Sequence, residues 1–146
     1  MKIKRVSRTR TLRLYEKKLV EELIPAYLNK SRSKDTAEEV LMDMKLGCNN
    51  PFAFICVILD DADVPVGFMS SHQGVSCKGK QVVVDHLYAP SMGLSARLLD
   101  TVMEKLDAKS VLWLTYRDPS AWIKLSNKVN RPAELFGWMV RFGKEE

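Results

Sequence analysis

Residues 82–106 read Val-Val-Val-Asp-His-Leu-Tyr-Ala-Pro-Ser-Met-Gly-Leu-Ser-Ala-Arg-Leu-Leu-Asp-Thr-Val-Met-Glu-Lys-Leu. The β-branched run from Val82 predicts a strand, closed at Pro90, which has no N–H to give to a sheet ladder. Gly93 permits a sharp turn. From Leu94 the apolar residues recur at Leu98, Leu99, Val102, Met103 and Leu106, the three-four spacing of one buried helical face. A strand that feeds a helix through a glycine turn leaves the first amides of that helix directed at open space. Such an end attracts anions.

Upstream, Ile3–Val6 predicts a short first strand. A helical pattern then runs through Leu12, Tyr15, Leu19, Leu23, Ile24, Tyr27 and Leu28, with Pro25 predicting a kink or break near Ile24. Thr36 followed by Glu39 has the form of a capping box, Val40, Leu41 and Met44 give the next helix its apolar face, and Gly47 is expected to end it. Phe52–Leu59 has no polar alternation and predicts a fully buried strand, with Asp60–Asp63 as its turn. Val64–Ser71 is a strand whose Pro65 and Gly67 imply a bulge or an edge. His72–Lys80, with Gly74 and Gly79, is expected to be a flexible loop returning into Gln81–Tyr88. Downstream, Ser110–Tyr116 predicts a strand, Asp118-Pro119 a helix start carrying Trp122, Ile123 and Leu125, and Leu135–Phe142 a last strand. The expectation is an α/β fold: one domain over 1–146, with a mixed, mostly antiparallel central sheet flanked by helices.

The chain has 146 residues, 46% of them hydrophobic and 28% charged, the make-up of an ordinary globular protein. No apolar run approaches the roughly 20 residues of a membrane span, so a cytoplasmic location is expected. Cys48, Cys56 and Cys77 are odd in number and lack Cys-x-x-Cys spacing. With His72 and His86 as the two histidines, neither a disulfide framework nor a metal centre is expected. The net charge of +5 is concentrated at the start, where Lys2, Lys4, Arg5, Arg8, Arg10 and Arg13 precede Glu16. That stretch lacks the interleaved aromatics of a base-stacking surface and reads as a solvated edge rather than a nucleic-acid site.

Asp85-His86-Leu87-Tyr88-Ala89-Pro90 and Gly93-Leu94-Ser95-Ala96-Arg97-Leu98-Leu99, in this order of elements, resemble the GNAT superfamily of N-acetyltransferases. The resemblance implies transfer of acetyl from acetyl-CoA to an amine. It implies that the amides of Met92, Gly93, Leu94 and Ser95 hold the coenzyme A pyrophosphate, and that Leu87 and Tyr88 offer backbone groups to the pantetheine arm. Asp85 takes the place of a carboxylate base, and Tyr116 and Tyr88 are the candidates to replace the acid which protonates the leaving thiolate. Only Ser91-Met92 separates Pro90 from Gly93, shorter than the family's turn, and the tyrosine usual in its later helix has no counterpart near Leu125 and Ser126. The alternative implied is a GNAT-fold protein that has lost its chemistry and serves as a structural or interaction component, for example of a phage virion. The expected partners are accordingly an amine substrate, or a protein in a homo-oligomer or larger assembly.

Read from the residues alone, Asp85 is either a solvated residue of an alternating strand or a functional carboxylate. His86 reads as a structural histidine without a recognisable orienting partner. Cys56 reads as an inert core thiol and Cys77 as an exposed one.

Overall fold

The computed structural model describes residues 1–77 and 79–113, together with Lys124 and Asn127. In chain order the elements are β1 (Lys2–Arg5), α1 (Thr9–Leu12), α2 (Glu16–Lys18), a π-helical turn (Leu19–Leu23), α3 (Ile24–Ser31) and α4 (Ala37–Cys48). They continue with β2 (Ala53–Leu59), β3 (Pro65–Ser76), β4 (Gly79–Tyr88), α5 (Met92–Lys105) and β5 (Ser110–Trp113). The described strands form one sheet in the order β1-β2-β3-β4-β5. Its first four strands are successively antiparallel, and β4 and β5 pair in parallel. A parallel pair needs a crossover connection, and α5 provides it. The mixed, mostly antiparallel sheet expected from the sequence is the one observed.

Strand β2 is buried along all seven residues because both sheet faces are covered. Ile55, Val57 and Leu59 face the helices that precede it and pack with Leu19, Ile24, Val40 and Met44. Phe54, Cys56 and Ile58 face α5 and pack with Leu98, Val102 and Met103. The α4 start is the predicted capping box: the Glu39 amide donates to Thr36 Oγ1 at 3.1 Å, and the Thr36 amide donates to Glu39 Oε1 at 3.2 Å. Gly47 does not end α4, which runs on to Cys48. A Cβ there would lie 2.5 Å from Ile55 Cδ1, so Gly47 lets the helix lie close on β2.

Two stretches differ from expectation. The long first helix is divided: α1 closes at Leu12, residues 13–15 form a turn, and the helix resumes at Glu16. At Pro25 it neither breaks nor ends. A π turn immediately before α3 widens the helix where Pro25 has no N–H to donate and its ring would meet a preceding carbonyl. The expected loop at 72–80 is instead ribbon. Residues His72 to Ser76 of β3 stay paired with Val83 to Gly79 of β4, because ladder hydrogen bonds satisfy a polar, glycine-bearing segment that has little side chain to bury.

The bulge implied by Pro65 and Gly67 is present as a register shift between Ile58 and Leu59. Gly67 lies against the end of β4, where an added Cβ would meet Tyr88 O at 2.5 Å. Gly67→Ala is expected to cost about 1–3 kcal/mol, and Thr36→Ala, which removes only a cap, about 1 kcal/mol. Urea unfolding with unchanged m-values checks both.

Candidate active site

Strand β4 begins with strict alternation, Val82 and Val84 facing α5. The alternation then changes phase, since Leu87 faces α5 as well and Tyr88 faces the other layer. The cause is a bulge: Ser70 pairs with His86 and Ser71 pairs with Val84, leaving Asp85 without an opposite residue. Two consecutive side chains, Asp85 and His86, are thereby turned toward the α3–α4 side of the sheet. Bulges are a usual means of re-aiming a side chain beside a functional site.

Asp85 opens into a cavity of about 260 Å3 between α4 and strands β2 to β4. Helix α4 lines one wall with Asp43, Leu46 and Gly47, whose i, i+3, i+4 spacing puts them on one stripe. Ser70, Ser71 and His72 of β3 line the floor. His72 Nδ1 and Asp85 Oδ2 are 2.8 Å apart, with the Asp85 side chain 31% exposed. Burial raises the Asp85 carboxyl above its ordinary value, an effect the hydrogen bond and charge of His72 partly offset. When His72 Nδ1–H donates to the carboxylate, Nε2 is left with a lone pair that can accept a proton.

A second imidazole backs the same cavity. His86 is 3% exposed and has both ring nitrogens engaged: Nδ1 with Tyr27 Oη at 2.9 Å and Nε2 with Asp43 Oδ2 at 2.7 Å. A neutral ring satisfies both contacts, the Tyr27 hydroxyl donating to Nδ1 and Nε2–H donating to Asp43. Tyr27 lies edge-on to both Phe68 and His86, which fixes its ring. His86 thus has the orienting partners that the sequence did not reveal. They lie 59 and 43 residues away along the chain.

At the far end of β4, α5 starts at Met92 rather than Leu94, with Ser91 as its N-cap. The turn is therefore made before Gly93, which sits in the first helical turn. Ser91 Oγ accepts the Leu94 amide at 3.2 Å, and the Ser95 amide donates to Ser91 O at 3.1 Å. Of the four amides implied as a phosphate cradle, those of Met92 and Gly93 remain without a partner among the described residues. A Cβ on Gly93 would meet nothing closer than Ser91 Oγ at 3.9 Å, so the backbone there is open to close approach. The side chains of Leu87 and Tyr88 pack into opposite layers of the core. Described pairing of β4 with β5 reaches Val84 and Trp113. Tyr116, the predicted helix start at Asp118-Pro119 with Trp122, Ile123 and Leu125, and the predicted strand at 135–142 lie outside the described residues.

Burial pushes the Cys56 thiol up to about 12 and raises that of Cys48, so both are inert, whereas Cys77 is exposed. Among the described residues no group of three or more histidine, cysteine or acidic side chains is arranged to hold a metal ion, and no helix is long and apolar enough to cross a membrane.

Solved structures similar to this chain include several acetyltransferases. A probable acetyltransferase is 15% identical and superposes with a TM-score of 0.71 over 99% of this chain and 100% of its own. A ribosomal-protein-alanine N-acetyltransferase from Brucella melitensis biovar Abortus 2308 gives 17% identity and 0.64, over 97% and 100%. An aminoglycoside acetyltransferase from an uncultured soil metagenomic sample, solved with sisomicin, gives 13% and 0.68, over 99% and 96%. No family model matches the sequence, and no curated protein matches it significantly. At these identities the likeness is one of fold, and the fold is the one these acetyltransferases share.

The raised Asp85 carboxyl has a consequence for stability. A carboxyl whose folded-state value is raised contributes stability that is complete below its unfolded value and is lost as pH rises through the folded one. Asp85→Asn has no such loss. Its thermal midpoint relative to the unaltered protein is expected to rise between about pH 3 and about pH 7, as paired melts at the two pH values will show.

Proposed function

We propose that the protein is an acetyl-CoA-dependent N-acetyltransferase whose acceptor amine enters the cavity beside Asp85. The observation that carries this reading is the bulge in β4, which presents Asp85 to the cavity in a 2.8 Å pair with His72. Acetyl-CoA would be the second substrate and supply an activated acetyl thioester. The open amides of Met92 and Gly93, and the clear space over Gly93, fit a pyrophosphate approaching the start of α5. In acyl transfer to an amine the C–N bond forms, the C–S bond breaks and the amine loses a proton. His72 Nε2 takes that proton, while Asp85 holds the ring and balances the charge it acquires. Asp85 is then a positioning residue, and the base assigned to it by resemblance is shared with His72. The released thiolate takes its proton from solvent or from Tyr116, a candidate replacement for the tyrosine of the family's later helix. Beyond this, the reaction asks mainly for two substrates held at the right distance.

One observation favours a second reading, a GNAT-fold protein kept as a structural or interaction component, for example of a virion. Ser91 Oγ already occupies the Leu94 amide, so the anion site is partly closed from within.

Isothermal titration with acetyl-CoA, followed by thiol release in the presence of amines, separates the two. On the enzyme reading acetyl-CoA binds, and His72→Gln lowers kcat/KM by about 10²–10⁴-fold with little effect on acetyl-CoA binding. Absence of binding at millimolar acetyl-CoA leaves the second reading.

A further inference from the structure

The cavity is charged in one direction. Among the described residues Asp43 and Asp85 both line it and no lysine or arginine does, in a chain of net charge +5. The two carboxylates sense each other, since Asp43 is among the groups that raise Asp85. They also differ in what holds them. Asp85 is bonded to Nδ1 of His72, which lines the same cavity. Asp43 has a half-exposed side chain on a helix, a setting in which an aspartate usually rotates freely, yet it is pinned from behind by the buried His86, itself fixed by Tyr27. His86 orients this carboxylate through Nε2 at 2.7 Å. Asp43 therefore presents its carboxylate at a fixed place on the wall of the cavity that the His72–Asp85 pair also lines.

We propose that Asp43 selects the acceptor, and that the acceptor is a slender aliphatic diamine. One nitrogen lies at His72 Nε2 and becomes the amide, while the other stays an ammonium ion against Asp43. The inference rests on the acetyl-transfer reading of the same cavity. Three properties of the cavity define the class. The two carboxylates, with no lysine or arginine beside them among the described residues, ask for a positive charge besides the amine that must be neutral to react. The volume, about 260 Å3, falls just below the about 300–1,000 Å3 of sites for drug-sized ligands and suits a small amine. Leu46, Ala53 and Ile55 give the walls apolar surface for methylenes between the two charged ends. The stoichiometry is that of simple acetyl transfer: the diamine loses one proton to His72 as its C–N bond forms and the thioester C–S bond breaks, and the distal ammonium is unchanged.

The test compares diaminobutane with butylamine, which differ only in the distal ammonium, using the full chain. Thiol release in the presence of acetyl-CoA gives kcat/KM for each amine, and isothermal titration gives the binding of each without acetyl-CoA. The expected result is a preference of about tenfold or more for the diamine, falling toward parity in Asp43→Asn. Asp43→Glu, which keeps the charge and extends it by one methylene, is expected to move the preference toward diaminopropane, and it serves if the asparagine variant does not fold. Equal turnover of both amines overturns the inference and leaves acetyl transfer standing. Tight diamine binding that depends on Asp43, without turnover of either amine, upholds the ligand class and removes acetyl transfer. A preference that survives Asp43→Asn undiminished overturns the role of Asp43, and failure of the diamine both to bind and to react overturns the whole.

Discussion

The extra residue in β4 is the constraint from which the site follows. In a regular strand Asp85 and His86 would point to opposite faces, and one of them would have to enter the apolar layer under α5. The shift that pairs Ser70 with His86 and Ser71 with Val84 spares the sheet that cost. It places both polar side chains on the side where Asp43, Tyr27 and His72 can meet them, and Leu87 regains the α5 face so that the core closes again. No buried side-chain polar atom among the described residues is left without a partner, because each imidazole is matched to one carboxylate. The arrangement is demanding. An imidazole as deeply buried as His86 is tolerated only with both nitrogens satisfied.

Much of the scaffold was legible in the sequence because it is written in local patterns. The unbroken apolar run of β2, the Thr36–Glu39 box and the buried face of α5 each depend on residues close together in the chain, and each is found as expected. Asp85 was also legible as a candidate, through its place in a strand that resembles a known motif. The partnership of His72 with Asp85 was not, because it depends on how β3 and β4 are registered across a bulge. The glycines and polar residues of 72–80 suggested a loop, whereas backbone pairing holds them in the sheet. His86 lacked a visible partner because Tyr27 and Asp43 come from separate helices. Ser91 is a different case: a serine one residue before a helix is a recognisable cap, and reading it so would have shown in advance that the Leu94 amide is taken.

The two ends of β4 therefore carry different degrees of commitment. At the bulge the polar groups are held by one another, His72 by Asp85 and His86 by both Tyr27 and Asp43, and little rearrangement is needed before a cationic ligand is met. At the start of α5 an arriving phosphate competes with the chain's own serine for the Leu94 amide, and its affinity reflects the difference between the two contacts rather than the full value of the new one.

The π turn at Leu19–Leu23 bears on the same site at a distance. An α-helix advances about 100° in azimuth per residue, and a π turn holds one residue more than the α-helical turn it replaces. The turn thus acts as a phase adjustment between the segment upstream, anchored by the buried Leu12 of α1, and the downstream α3, which carries Tyr27. Shortening it by one residue to an ordinary α-helix would leave the anchor in place and swing Tyr27 about 100° away from His86. A local irregularity enforced by Pro25 is in this way the setting that brings a hydroxyl on the first long helix into line with a histidine on the fourth strand.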